Sequence, residues 1–234
     1  MIRNSNSNRL VNYGLTFHRL GLARWPVARM PESIKPANRP TDKPVNRDSA
    51  LPNLYVALAH YPVVDKRGDI IASAVTNLDL HDISRAVKTY GVKAYYVVTP
   101  LVDQQGLVQK IISHWTSGSG AVYNPARRSA LELVKVKDTI ADVVEDIKGI
   151  ENDYPKIAVT CARRNTTSTG YQEFREILKS GKPHLLVFGT AWGLAESFIS
   201  ESDYVLDPIM GPTDYNHLSV RTAAGIILDR LLGE

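Results

Sequence analysis

Two periods of apolar residues alternate along the chain from residue 51 onward. Leu54 to Ala59 (LYVALA), Lys93 to Thr99 (KAYYVVT), Leu131 to Val136 and Lys156 to Ala162 are short apolar runs, as are the stretches opening at His184 and Tyr204. Their length and β-branched and aromatic content predict strands. Between them, apolar positions recur every three or four residues and predict helices. Asp79 to Tyr90 is one, with Asp79 as N-cap, Asp82 in the first turn and Gly91 as the stop. Asp103 to Trp115 is the next, with Leu107, Val108, Ile111 and Ile112 on its apolar side. Asp138 to Ile147 follows, capped by Asp138, and Thr169 with Gln172 makes a capping-box pattern for a helix through Leu178 that Gly181 ends. The last helix is the best marked, with Val220, Ala223, Ala224, Ile227, Leu228 and Leu231 at offsets 0, 3, 4, 7, 8 and 11.

A β-α alternation repeated about six times predicts an α/β fold, with a mostly parallel six-stranded sheet covered by helices on both faces. Residues 51–234 form one domain in this reading. The last two strand-like runs end in loops bearing Gly189, Gly193 and Gly211, and the second loop opens into the final helix. Strand ends followed by glycine loops and a helix start are where open α/β sheets bind ligands.

Residues 1–50 break the pattern. They hold Asn/Ser repeats and then Pro31, Pro36, Pro40 and Pro44, with little apolar periodicity, which predicts a disordered basic extension. The first 31 residues carry five Arg and no acid. A basic arm touching RNA phosphate, a targeting segment and an inert extension all fit; the inert extension is preferred.

Charge changes the picture only when it is divided. The chain's +4 splits into +6 for residues 1–50 and −2 for residues 51–234. The domain itself therefore has no global electrostatic pull on nucleic acid and must use local patches. A single cysteine, Cys161, excludes an internal disulfide framework and a cysteine-built zinc site, and suits a reducing, cytoplasmic compartment. No apolar run approaches the roughly 18 residues of a membrane helix.

Three segments carry candidate chemistry: TNLDLHDISRAVKTYG (76–91), VFGTAWGL (187–194) and IMGPTDYNHLSVRTAAGI (209–226). Asn77, Arg85 and Gly91, then Phe188, Gly189, Gly193 and Leu194, then Ile209, Met210 and Gly211 with Ser219, Val220, Ala223, Gly225 and Ile226, follow in order. In this the chain resembles the SPOUT (α/β-knot) class of RNA methyltransferases, in its SpoU/TrmH-like pattern, over residues 51–234. It departs from that pattern in two places. Ala191-Trp192 stands where the class has a Glu, and the late Asn is displaced, with Asn216, His217 and Ser219 as candidates.

The resemblance implies a C-terminal trefoil knot whose loops hold S-adenosylmethionine (SAM), a homodimer, and an RNA substrate, tRNA or rRNA; no metal and no membrane are expected. The cofactor residues it implies are Thr160, Phe188, Gly189, Thr190, Gly193, Leu194, Ile209, Met210, Gly211, Asn216, Leu218, Ser219 and Ala223. Arg85 would orient RNA phosphate or the acceptor, with a surface ion pair to Asp82 as the other reading. Asp214, otherwise a turn residue, and His217, otherwise a lead-in to the helix, are candidate bases. Trp192 either flanks the cofactor or fills core, and Cys161 reads as an inert buried thiol. Two basic loops suit RNA phosphate: 115–130, with Arg127 and Arg128, and 161–170, with Arg163 and Arg164.

Other enzyme classes fail on motifs. The first strand runs into AHYPVVDKRGD, without the G-x-G-x-x-G of a dinucleotide fold, and no G-x-x-x-x-G-K-[ST] occurs. A nucleophile elbow would need G-x-S-x-G, which TSGSGA lacks. The alternative kept open by the missing Glu is a knotted SAM- or RNA-binding protein without methyl transfer.

The charge division makes a prediction. Deleting residues 1–50 removes +6 and should weaken RNA binding mainly at low salt, flattening the slope of log affinity against log salt without lowering the maximal rate. Filter binding across a salt series checks it, and an unchanged slope would show that the arm makes no phosphate contact.

Overall fold

The computed structural model describes residues 52–163 and 167–234. The proposed 1–50 extension and Arg164 lie outside the described residues. In chain order the elements are β1 (Leu54–Ala59), a small hairpin of β2 (Val63–Val64) and β3 (Ile70–Ile71), α1 (Asn77–Thr89), β4 (Tyr95–Val98), α2 (Val102–Thr116), α3 (Ser119–Tyr123), α4 (Pro125–Leu131), β5 (Val134–Lys137), α5 (Ile140–Glu151), β6 (Lys156–Thr160), α6 (Tyr171–Leu178), β7 (His184–Gly189), α7 (Glu196–Ser200), β8 (Tyr204–Leu206) and α8 (Val220–Leu232).

The main sheet has six strands in the order β5-β4-β1-β7-β6-β8, every neighbouring pair parallel, as the alternation predicts. Two buried clusters sandwich it. On one face Leu54, Val56, Leu58, Leu186 and Phe188 of the central strands meet Leu80 and Ile83 of α1, Phe174 of α6 and Ala224, Ile227 and Leu228 of α8. On the other face Tyr55, Ala57, Leu185 and Val187 meet Val143 and Ile147 of α5 and Ile199 of α7. Helices therefore cover both faces, and the strands between them read as continuous apolar runs because neither face sees water.

Helix starts differ from the expected ones for local reasons. α1 is capped by Thr76, whose hydroxyl accepts from the Asp79 amide at 3.2 Å while donating to the Asp79 carboxylate at 2.7 Å. Asp79 is thus the third residue of the helix rather than its cap. Asp138 likewise yields to Thr139, which forms a reciprocal capping box with Asp142. The Asp138 carboxylate instead accepts from the Gln105 amide group at 2.9 Å. Thr169 does not cap α6: its N–H and C=O pair with Val205 and Asp207, prolonging the sheet, and the helix begins after Gly170. The stretch 115–130, expected as a loop, is mostly helical. The Asn124 side chain accepts from Arg127 N and Pro125 occupies the first turn, so α4 runs on to Leu131 and the expected strand starts only at Val134. On α2, Val108 is buried, Ile111 and Ile112 pack against the core, and Leu107 stays 42% exposed.

Phe174 anchors one side of this core. It is fully buried and meets Tyr204 edge-on at 5.4 Å and His184 at 5.8 Å. Phe174→Ala should cost about 3–5 kcal/mol of unfolding free energy, read as a lower midpoint in urea. A loss under about 1 kcal/mol would mean that α6 closes over the cavity.

Candidate functional site

From β1 the chain moves outward through β4 to β5, then crosses to β6, returns with β7 beside β1, and leaves for the edge at β8. Adjacent strands β1 and β7 are therefore continued by connections that depart to opposite sides, which leaves a crevice at their carboxyl ends. A cleft of about 1410 Å³ opens there, lined by the loops that follow β1, β6, β7 and β8 and by the first turns of α1 and α8.

The loop after β7 is bound tightly to the loop after β1. Thr190 donates from its amide and from its hydroxyl to the Ala59 carbonyl, at 3.2 and 2.9 Å. A Cβ on Gly189 would lie 2.7 Å from Leu194 N, so only glycine lets the loop fold back onto the strand end. Ala191 (φ 52°) and Gly193 (φ 112°) take left-handed or related conformations within the turn. The β2–β3 hairpin then seals the loop: Trp192 N donates to Val64 O at 3.1 Å, and Val64 N donates to Gly193 O at 2.9 Å.

Beneath this loop runs a polar relay. The Thr190 and Ser73 hydroxyls are 2.5 Å apart, and Ser73 Oγ lies 3.0 Å from His60 Nδ1. His60 is fully buried and its Nε2 has no partner among the described residues. Burial holds the imidazole at about 4, well below its ordinary 6.5, against a smaller opposing pull from Asp79.

The far wall is the loop between β8 and α8. Asn216 Nδ2 donates to the Ala162 carbonyl at 2.7 Å, tying it to the loop after β6. Asp207 is held by Ser168 Oγ, and its carbonyl accepts from Tyr171 OH at 2.6 Å. Ser219 caps α8 by accepting from Thr222 N. At the floor, Arg221 Nη1 donates to the nearly buried Asp79 carboxylate at 3.1 Å, and its Nε lies 3.6 Å from Asp82.

Of the expected cofactor residues, Thr160, Phe188, Gly189, Thr190, Gly193, Leu194, Ile209, Asn216, Leu218, Ser219 and Ala223 all line this one cleft, with the candidate bases Asp214 and His217 and with Arg163. Met210 and Gly211 stand on the same loop but outside the lining. Arg85 is exposed on α1 and is not among the residues that line the cleft, and Asp82 pairs with Arg221 rather than with it. Arg127 lies 4.5 Å over the Trp115 ring, and Arg128 pairs with Glu132 at 2.8 Å, both on α4. Trp192 fills no core, being 65% exposed. Sequence reasoning missed Ser73, Thr76, Arg221 and the hairpin, and took Asp79 only for a cap. The Thr76-x-x-Asp79 spacing was a readable cap signal; nothing local marked Arg221. Among the described residues, no group of three or more His, Cys, Asp or Glu can hold a metal, and no helix is long and apolar enough to cross a membrane.

His60 gives this site a pH dependence with a definite sign. The buried imidazole stays neutral down to about pH 4, whereas in the unfolded chain it takes up a proton below about 6.5. Between these values the unfolded state binds more protons, so stability should fall as pH drops from 6.5 to 4, by about 3 kcal/mol from this group. Urea midpoints for the wild type and His60→Gln across that range check it, and identical pH slopes for the two would refute it.

Comparison with known proteins adds identity to this geometry. The chain is 46% identical over 182 residues to a tRNA (guanine-N(1)-)-methyltransferase of Oleidesulfovibrio alaskensis, across 78% of this chain and 42% of that protein. It thus spans less than half of that relative's length. A protein of Aquifex aeolicus is 41% identical over 180 residues, across 76% of this chain and 88% of its own. The fold is like that of a methylase family protein from Neisseria gonorrhoeae, with a TM-score of 0.53 at 18% identity, covering 82% of this chain and 86% of that one. A family model for SAM-dependent RNA methyltransferases matches residues 53–233, and the chain belongs to that family.

Proposed function

We propose that this domain binds SAM in the cleft at the carboxyl ends of β1, β7, β6 and β8 and transfers its methyl group to RNA. The observation that carries the reading is the convergence of the loops after β6, β7 and β8 on one cleft within the span that the family covers. The residues present fit the cofactor. Leu194, Ile209 and Leu218 offer apolar walls, and the uncharged polar side chains of Thr160, Asn216 and Ser219 line the cleft with them. The knotted path is part of the proposal, supported by the hydrogen bonds that lay residues 168–171 across the segment 205–207.

When bound, SAM supplies an already activated sulfonium methyl, so the chain's task is alignment and proton removal. Asp214 and His217 stand on the cleft wall where an acceptor enters, and either can take the proton that the acceptor loses. Arg85 is outside the cleft of its own chain and would serve the site from a second copy, which the proposed homodimer supplies. The guanine-N1 specificity named for the longer relatives is not carried over, because this chain matches only 42% of the first of them.

Calorimetry should show SAM binding, and labelled SAM should transfer methyl to total RNA. Arg85→Ala should leave SAM affinity nearly unchanged and lower turnover by on the order of a hundredfold, as loss of a positioning contact does. SAM binding without any methyl transfer would favour the binding-protein alternative. Normal turnover in Arg85→Ala would remove Arg85 from the mechanism and move the test to Asp214 and His217.

A further inference from the structure

Ala191-Trp192 stands where the class pattern has a Glu, and the environment of Trp192 is unusual for an indole. It is 65% exposed, so the fold leaves one of its largest apolar side chains in water. Its backbone is the opposite of loose. Trp192 N is bonded to Val64 O, Gly193 O accepts from Val64 N, Gly193 N donates to Thr190 O at 2.9 Å, and Ala195 N donates to Pro62 O at 3.2 Å. A left-handed Ala191 completes the turn. A rigid loop holding an unpacked indole is a pre-organised contact, because little further order has to be imposed when something lands on it.

What lands there is indicated by the rim. Trp192 and His217 line the same cleft, and Tyr215, 73% exposed, meets His217 edge-on at 5.4 Å. Arg67 and Arg163 line it too and are 74% and 73% exposed. Their partners are Asp65 and Asp69 at 3.2 Å and Glu196 at 3.7 Å. Exposed pairs of this kind are weak and give way readily to a phosphate. Aromatic faces beside solvent-facing arginines are the composition that holds a single nucleic-acid strand: bases stack on the rings and phosphates meet the cations.

We propose that Trp192 is the stacking platform for an unpaired nucleobase of the RNA, so that the cleft accepts a single-stranded or extruded nucleotide and not an intact duplex. A paired base has both faces covered by its neighbours; only an unstacked one can lie on the indole. The inference rests on RNA as the substrate. It adds which form of RNA enters and which residue selects it.

The test uses the full chain and two probes, a single-stranded oligoadenylate of about a dozen nucleotides and the same strand in a blunt duplex. The protein has three tryptophans, so the Trp192 fluorescence is the difference between wild type and Trp192→Phe. The single strand should quench that difference signal and the duplex should not. In methyl transfer to total RNA, Trp192→Ala should raise KM by on the order of ten- to a hundredfold. Trp192→Phe should restore it to within a few-fold, and Trp192→Leu, apolar but without a π face, should not. SAM affinity should be the same in all four proteins, which also shows that the variants fold. Equal quenching by duplex, or equal rescue by Phe and Leu, would overturn the proposal. So would a fall in SAM affinity in Trp192→Ala, which would make the indole a cofactor wall. Dissociation of a wild-type dimer in Trp192→Ala, seen by light scattering, would make it an interface residue and overturn it as well. The quenching needs no turnover, so absence of methyl transfer in the wild type would count against the enzyme reading and leave the stacking measurement intact.

Discussion

The parallel pairing of β1 with β7 is the constraint on which the site depends. Six residue pairs, Leu54 with His184 through Ala59 with Gly189, bring together two strands far apart in sequence. Their continuations leave to opposite sides, so no crossover helix can cover the ends of both. Burial on both faces leaves these strands no register in which apolar residues are wasted. Register in turn places Ala59 beside Gly189, and from that neighbourhood follow the bonds of Thr190 to the Ala59 carbonyl and the closure of the hairpin over the loop. The cleft results from strand order first and from its lining residues second.

How much of this could be read in advance varied with how local its cause was. β1 was legible to the residue because LYVALA is buried on both faces and needs no choice of face. The start of α8 was legible because a clean apolar stripe opens at Val220; the cap, Ser219, read only as a cofactor residue. Gly189 and Gly193 announced a turn, since backbone folding onto a strand end needs glycine within a few residues. The α1 and α5 caps went wrong by one to three residues because Asp and Thr compete for the same role; in both helices the Thr with an Asp three residues on takes it. The Asp138 carboxylate went to Gln105, 33 residues away. Thr169 was drawn into the sheet edge by β8, a strand that the sequence shows but whose pairing with Thr169 is not local. Arg127 and Arg128 were placed in a loop because Ser and Gly suggested one, yet Asn124 and Pro125 start a helix there.

The Arg221–Asp79 pair was out of reach of any local pattern, its members standing 142 positions apart. Its energetics explain why both are present. Arg221 sits in the first turn of α8, where the helix dipole disfavours a cation. Asp79, nearly buried in the first turn of α1, would be costly without a counter-charge. Each offsets the other's penalty, and the bond fixes the starts of both helices against the cleft. Removing Arg221 would leave the nearly buried Asp79 carboxylate with the Thr76 hydroxyl but no counter-charge, whereas removing Asp79 would leave Arg221, which is partly exposed, with Asp82.

On the proposed RNA reading, that neutralisation decides where affinity would come from. The domain has a balance of −2 over residues 51–234, and the cation at the floor, Arg221, is already committed to Asp79 and Asp82. Attraction would come from the exposed rim cations, Lys66 together with Arg67 and Arg163, whose carboxylate partners hold the two arginines weakly, and such contacts place a backbone without reading it. Selection then falls to groups that respond to the base itself. At this cleft those are the aromatic faces, Trp192 above all, which the bonded loop after β7 holds in place so that stacking is available only to a nucleotide that has left its stack.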